Sequence, residues 1–283
     1  MLLKMFFSQK KKEKEKEKEM SLCIVTAFMD LEREHWSHFS RSIDKYFSSF
    51  APYTTLNINM VIFIDDRYHE RLIGMLAKDD NKMSSYEIIK INSDFLRENI
   101  HAYKYLDVER EIMNSENFKL LINHRRTHPE CSIPEYNIIQ HAKIDFVSYV
   151  IERNEKKYDY YAWSDFGYFQ FVQPKGDLDL TKFNLNRINF QGINRLEDID
   201  FNIKYTLTRA PEKIGGFFYL GRPDLLIKYK ELYHKTCQKF YQLGIVDDDQ
   251  HIMIQCLYQN PDLFYIWNFG RWHYVYSYFV KSV

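Results

Sequence analysis

The stretch YDYYAWSDFGYFQF, Tyr158 to Phe171, holds eight aromatic side chains and, apart from Asp159, a single carboxylate, that of Asp165, with Gly167 two places on. A core strand has no use for a carboxylate or a glycine. Read backwards from Asp165, YDYYAW is an apolar strand, so the acid stands where a strand leaves its sheet, and Gly167 would let backbone come close to a ligand. A carboxylate at such an edge can hold a divalent cation that bridges two phosphate oxygens, a task suited to Mg²⁺ or Mn²⁺ because both prefer hard oxygen ligands. The local alternative is an Asx-type turn built by Asp165 and Gly167.

Outward from this stretch the chain alternates strands and helices. Ser21–Phe28 (SLCIVTAF) reads as a buried strand, and apolar spacing at Trp36, Phe39, Ile43 and Phe47 predicts a helix over 33–50. A second strand over 58–64 ends on Asp65 and Asp66 and leads to a helix over 70–78; YEIIKI, 86–91, supplies a third strand. Near-continuous apolar strands between helices predict an α/β fold with a mostly parallel sheet, helices on both faces and ligands at the carboxyl ends of the strands. Residues 93–127 read as a helical insertion. Pro134–Arg153 reads as a helix whose core stripe is Ile139, Ala142, Phe146 and Val150. Lys143 falls inside or beside that stripe, so it either snorkels to solvent or aims a cation at an anionic ligand. Beyond an irregular region over 178–208 come a short strand behind Gly215-Gly216, a helix over 225–243, a helix opened by three aspartates, and aromatic extended segments near the C-terminus. The expected organisation is a charged, disordered tail over 1–20, including QKKKEKEKEKE, and one domain over 21–283.

Composition narrows the partners. Lys+Arg and Asp+Glu are equal at 39 each among 283 residues, which leaves no electrostatic footprint for nucleic acid or an anionic membrane surface. Four scattered cysteines form no C-x-x-C pair, so neither a zinc cluster nor a disulfide framework is expected. The opening MLLKMFF is too short for a signal or membrane span, and the expected location is cytoplasmic. An aromatic content of 17% suits a sugar-handling cleft as well as it suits a plain bias toward Tyr and Phe. The chain has no G-x-G-x-x-G, Walker loop or G-x-S-x-G elbow, which argues against dinucleotide-dependent, NTPase and serine-hydrolase chemistry.

Three further features bear on chemistry. In VDDDQ, Asp247 and Gln250 have capping-box spacing, yet three adjacent acids exceed what one cap needs. Asp247, Asp248, Asp249 and Gln250 together could position a sugar hydroxyl, act as a base, or stabilise positive charge at an anomeric carbon. Gly215 and Gly216 let backbone approach a ligand or simply turn. His273, in an aromatic C-terminal context, could complete a metal shell or be an ordinary packed histidine.

Six blocks in order, IVTAF (24–28), MVIF (60–63), PEY (134–136), HAKIDFV with Lys143, WSDFGY (163–168) and IVDDDQ (245–250), resemble the bacterial HtrL/YibB-like family, which is similar to GT-A nucleotide-sugar glycosyltransferases. The resemblance implies a single GT-A-like domain, a Rossmann-like half merged with an acceptor half. It implies a Mn²⁺- or Mg²⁺-dependent transfer from a nucleotide diphosphate sugar, with UDP expected, to a glycan or protein acceptor. On that reading Thr26, Ala27, Asp65 and Asp66 line the nucleotide, Lys143 meets phosphate, and Trp163, Gly167, Tyr168, Gly215 and Gly216 complete the donor pocket. Asp165, His273 and Asp247 would hold the metal, and Asp248, Asp249 and Gln250 would face the sugar. Trp163 takes the first acidic place of the family's D-x-D element, leaving Asp165 alone. A metal-dependent nucleotidyltransferase or phosphohydrolase, and a non-catalytic carbohydrate-binding or assembly protein, remain as alternatives.

Overall fold

The computed structural model describes residues 20–153, 155–268 and 270–281; the Lys/Glu-rich run expected to be a disordered tail lies outside them. Among the described residues seven strands make one sheet: β1 (Leu22–Phe28), β2 (Asn59–Asp65), β3 (Ser85–Ile91), β4 (Tyr160–Ser164), β5 (Ile188–Gly192), β6 (Ile214–Gly221) and β7 (Phe264–Asn268). The helices are α1 (Ile43–Phe50), α2 (His69–Leu76), α3 (Ser93–Asn99), α4 (Leu106–Asn114), α5 (Glu116–Leu121), α6 (Pro129–Ser132), α7 (Pro134–Arg153), α8 (Ile203–Arg209), α9 (Pro223–Gln242), α10 (Asp249–Gln259) and α11 (Val275–Tyr278).

The sheet order is β3-β2-β1-β4-β6-β5-β7. All neighbours are parallel except β6, which runs against both β4 and β5. Residues of period two sort onto two faces. Cys23, Val25, Val61, Phe63, Tyr161 and Trp163 join one core with α7 and α9. Ile24, Phe28, Met60, Ile62, Ile64 and Ala162 join the other with α1, α2 and α11. Both faces are therefore covered, as parallel strands require. No helix among the described residues is long and apolar enough to cross a membrane.

This topology places the site. From β1 the chain builds outward through β2 and β3, then crosses to β4 on the other side of β1. That reversal opens a crevice at the carboxyl ends of β1 and β4, where ligands bind in open α/β sheets. Because β6 is reversed, its beginning reaches the same edge: Ser164 pairs with Phe218, and Asp165 N–H donates to the Phe217 carbonyl at 3.0 Å.

One predicted helix is half absent. Residues 33–42 form a single turn over Arg33–His35 and then a loop, with α1 starting only at Ile43. Phe39 sits at φ 58° and is exposed, and the Ser42 hydroxyl accepts the Lys45 N–H, capping a fresh helix start. The helical apolar spacing instead supplies an aromatic wall for the crevice.

Candidate active site

The crevice is a cavity of about 600 Å³. Its floor comes from three elements: the turn after β4, the start of β6, and the start of α10. Asp165 follows Trp163 by two residues and so falls on the α7 side of the sheet. There Lys143 reaches it: the buried ammonium is 3.2 Å from Asp165 Oδ1, donates to Asp249 Oδ2 at 2.8 Å, and donates to the Gly216 carbonyl at 2.9 Å. The Trp163 indole N–H donates to the same Asp165 Oδ1 at 2.7 Å. Burial alone would lower the Lys143 pKa, but the Asp165 and Asp249 carboxylates outweigh it and hold the ammonium above the ordinary lysine range. Neither snorkelling nor a bare anion-seeking cation describes this lysine. It is the buried link between two acids that lie 84 residues apart in sequence, 165 and 249.

Asp249 opens α10, and Asp248 is the residue that caps it, its carboxylate accepting the Gln250 N–H at 3.1 Å. The capping role thus falls to Asp248 instead of the Asp247 to Gln250 box. Burial, reinforced by the neighbouring Asp247 and Asp249, pushes the Asp248 carboxyl up to about 7. Asp249 and Gln250 line the cleft; Asp247 and Asp248 do not. Asp247 is turned into the interior, where its carboxylate accepts from the His251 ring at 2.7 Å and lies 3.5 Å from the Arg125 guanidinium.

Of the other expected residues, Ala27, Trp163, Gly167, Gly216 and His273 also line the cleft, and five do not. Thr26 is fully buried within β1, below the Ala27 and Phe28 end of the strand that lines the cleft. Asp65 is held by Arg67 at 2.6 Å, and Asp66 accepts from Asn92 at 3.2 Å, so both belong to the β2 turn. Tyr168 is fully buried and accepts the Val275 N–H at 2.9 Å, so it faces the core. Gly215 makes room for the ring of Phe217. Gly216 has a sharper duty, because a Cβ there would overlap the Asp249 carboxylate. Gly216→Ala is therefore expected to push Asp249 off Lys143 and to lower stability by about 1–3 kcal/mol, measurable as a urea midpoint shift. An alanine variant with unchanged midpoint would contradict this packing.

His273 stacks on Phe217 with ring centres 4.4 Å apart, and its Nδ1 is buried without a partner. Burial pushes its pKa down to about 4, aided by the positive charges of Arg41 and Lys143, so the ring is neutral near pH 7. Arg33 and Arg41 escaped the sequence reading. Both line the cleft from residues 33–42, where cations set among Trp36, Phe39 and Tyr46 are the available signal.

The expected metal set does not come together. Asp247 lies outside the cleft, Asp165 shares one oxygen between an indole and an ammonium, and His273 offers a single nitrogen, whereas Mg²⁺ and Mn²⁺ seek several oxygen donors. Among the described residues one group of three has metal-like spacing, Asp247, Asp248 and His251, with ligand atoms within 4.8 Å. There the His251 ring is already bonded to the Asp247 carboxylate at 2.7 Å, and Asp247 lies 3.5 Å from the Arg125 guanidinium, so these partners occupy the oxygens a cation would need. These side chains do not fit a resident divalent cation.

Comparison with known proteins adds a family. A family model described as "Bacterial protein of unknown function (HtrL_YibB)" matches residues 20–281. Protein HtrL of Escherichia coli (strain K12) is 27% identical over 271 residues, covering 89% of this chain and 89% of that protein. Among solved structures, apo mouse xyloside xylosyltransferase 1 aligns with a TM-score of 0.44 at 8% identity, over 88% of this chain and 84% of that one.

Proposed function

This chain belongs to the HtrL_YibB family, and we propose that it is a glycosyltransferase that moves a sugar from a nucleotide diphosphate donor to a glycan or protein acceptor, with residues 21–283 as one catalytic domain. The observation that carries this reading is the assembly of the half-exposed Asp165 with the buried Lys143 and Asp249 at the point where the strand order reverses, the place an open α/β sheet offers a nucleotide. In the transfer, the bond between the anomeric carbon and the diphosphate oxygen breaks, and its electron pair leaves with the diphosphate. The acceptor hydroxyl oxygen bonds to that carbon, and its proton passes to the departing diphosphate. Positive charge grows at the anomeric carbon meanwhile, and a fixed carboxylate beside it stabilises the transition state. Asp249 has the position for that role: it lines the cleft, is 5% exposed, and is held by Lys143. Gln250, next on α10, would hold sugar hydroxyls. Ala27, Trp163 and Gly167 would contact the donor from the β1 and β4 ends.

A thermal-shift screen of UDP-, GDP- and CMP-sugars tests the donor, since a ligand that binds only the native state raises its apparent stability. A UDP-sugar is the expected positive. Asp249→Asn should keep that shift while losing turnover of the bound donor by about a hundredfold. Undiminished turnover in a folded Asp249→Asn chain would remove Asp249 from the chemistry. Turnover of an NTP or phosphoester instead would favour the phosphoryl-transfer reading, and glycan binding without any donor turnover the assembly reading.

A further inference from the structure

The proposed transfer leaves a diphosphate with growing negative charge, and cations in the cleft must meet it. Resting on that reading, we infer that Arg33 and Arg41 form a two-guanidinium clamp for the donor's diphosphate, and that this clamp takes the electrostatic place of a divalent cation.

The charges of the cleft lead there. Its cations are Arg33, Arg41 and Lys143, and its acids are Asp30, Asp165, Glu212 and Asp249. Lys143 is committed to Asp165 and Asp249, with its third donor on the Gly216 carbonyl. Asp30 is engaged by the Tyr68 hydroxyl at 2.6 Å and lies 3.6 Å from Arg67. Among the described residues neither Arg33 nor Arg41 has a carboxylate within ion-pair distance. Both are half-buried, which is costly for a guanidinium without a counter-charge unless a ligand supplies one.

They are also held in place. The Arg41 N–H donates to the Arg33 carbonyl at 3.2 Å, closing the loop so that both side chains issue from its neck. Arg33 Nε donates to the Phe39 carbonyl at 2.7 Å and Nη1 to the Tyr46 hydroxyl at 3.1 Å, while its guanidinium lies 5.4 Å from the Trp36 ring centre. Arg41 lies 5.1 Å from the Tyr46 ring centre. Its Nη1 comes within 3.5 Å of where a Cβ on Gly167 would stand, so it reaches the turn that carries Asp165. Arg33 Nη2 and the Arg41 guanidinium remain for a ligand. A planar guanidinium gives two parallel N–H bonds to a phosphate, a geometry an ammonium cannot copy. The site's fixed carboxylates are satisfied by Lys143, and its fixed guanidiniums await an anion.

Isothermal titration of the full chain with inorganic pyrophosphate and with UDP, in EDTA and again with Mn²⁺, tests this. Both anions should bind in EDTA, and Mn²⁺ should change either affinity by less than about twofold. Arg33→Met and Arg41→Met should each weaken pyrophosphate by about tenfold or more, the loss of one charge-assisted bidentate contact. Unliganded melting temperatures report whether the variants fold; Arg41→Lys, which keeps charge and loses the fork, should still bind more weakly than wild type. Binding that appears only with Mn²⁺ and vanishes in Asp165→Asn would overturn the clamp in favour of a metal. UDP binding indifferent to both arginine substitutions, or no binding of either anion, would also overturn it. Pyrophosphate binding that depends on the arginines, with no nucleotide or nucleotide sugar bound, would uphold the clamp and defeat the glycosyltransferase reading instead.

Discussion

Lys143→Met is expected to lower the unfolding free energy by about 3–5 kcal/mol and to abolish turnover of the donor sugar, the cost of stranding a buried charge whose partner has been removed. Methionine fills a similar volume on α7 among Ala142, Phe146 and Trp163, so the loss would not come from a cavity. It would come from Asp249, 5% exposed and left without its 2.8 Å ammonium. Asp165 contributes less, because its side chain is 35% exposed and water can take over part of the ammonium's work. Urea unfolding followed by tryptophan fluorescence measures the loss. A double-mutant cycle assigns it: in Lys143→Met with Asp249→Asn, where no buried charge is stranded, stability should recover by about 1–3 kcal/mol relative to Lys143→Met alone, while turnover stays absent. A single variant as stable as wild type would mean that Lys143 is not the counter-ion of Asp249.

The contrast between what was and was not legible in the sequence follows from range. The β1, β2 and β3 strands and the whole of α7 could be read because their periods are local. The notable failure, 33–42, had the same kind of local signal, but the left-handed Phe39 and the capping Ser42 overrode it. Asp165 at a strand end and Asp249 at a helix start were legible as candidates for the same reason. Their union by Lys143 was not, because the Lys143 to Asp249 bond spans 106 residues and depends on β6 running backwards to bring Gly216 alongside. Among the three aspartates, spacing could not say which one caps α10, which faces the cleft and which turns inward. Only their partners sort them: Asp248 accepts the Gln250 N–H, Asp249 accepts from Lys143, and Asp247 accepts from His251.

That inward-facing acid carries the other large effect. Asp247→Ala should destabilise the fold by about 3–5 kcal/mol, since it leaves both the Arg125 guanidinium and the protonated His251 ring buried with less counter-charge. Glu130, 2.6 Å from Arg125, keeps that guanidinium paired, so most of the loss should pass through His251. The pH dependence of the wild-type chain should carry the same signature. His251 is raised from 6.5 to about 9 on folding, so its stabilisation is fully present below about pH 6.5 and is lost as pH rises through about 9, on the order of 3 kcal/mol in all. Asp247 is lowered on folding, so its share persists above about pH 4 and fails only in acid. Asp248, raised to about 7, works against stability as pH climbs from about 4 to 7, so its loss is complete before most of the His251 limb begins. Urea midpoints from pH 6 to 10 should therefore fall for the wild type and fall less for Asp247→Ala, where His251 has lost the partner that holds its proton. EDTA should leave the wild-type midpoint unmoved throughout, because a protonated ring and an arginine already supply the positive charge that a metal would bring. A midpoint that drops with EDTA and is restored by Mn²⁺ would make the same cluster a structural metal site, and the alkaline limb would then have to be assigned to another group.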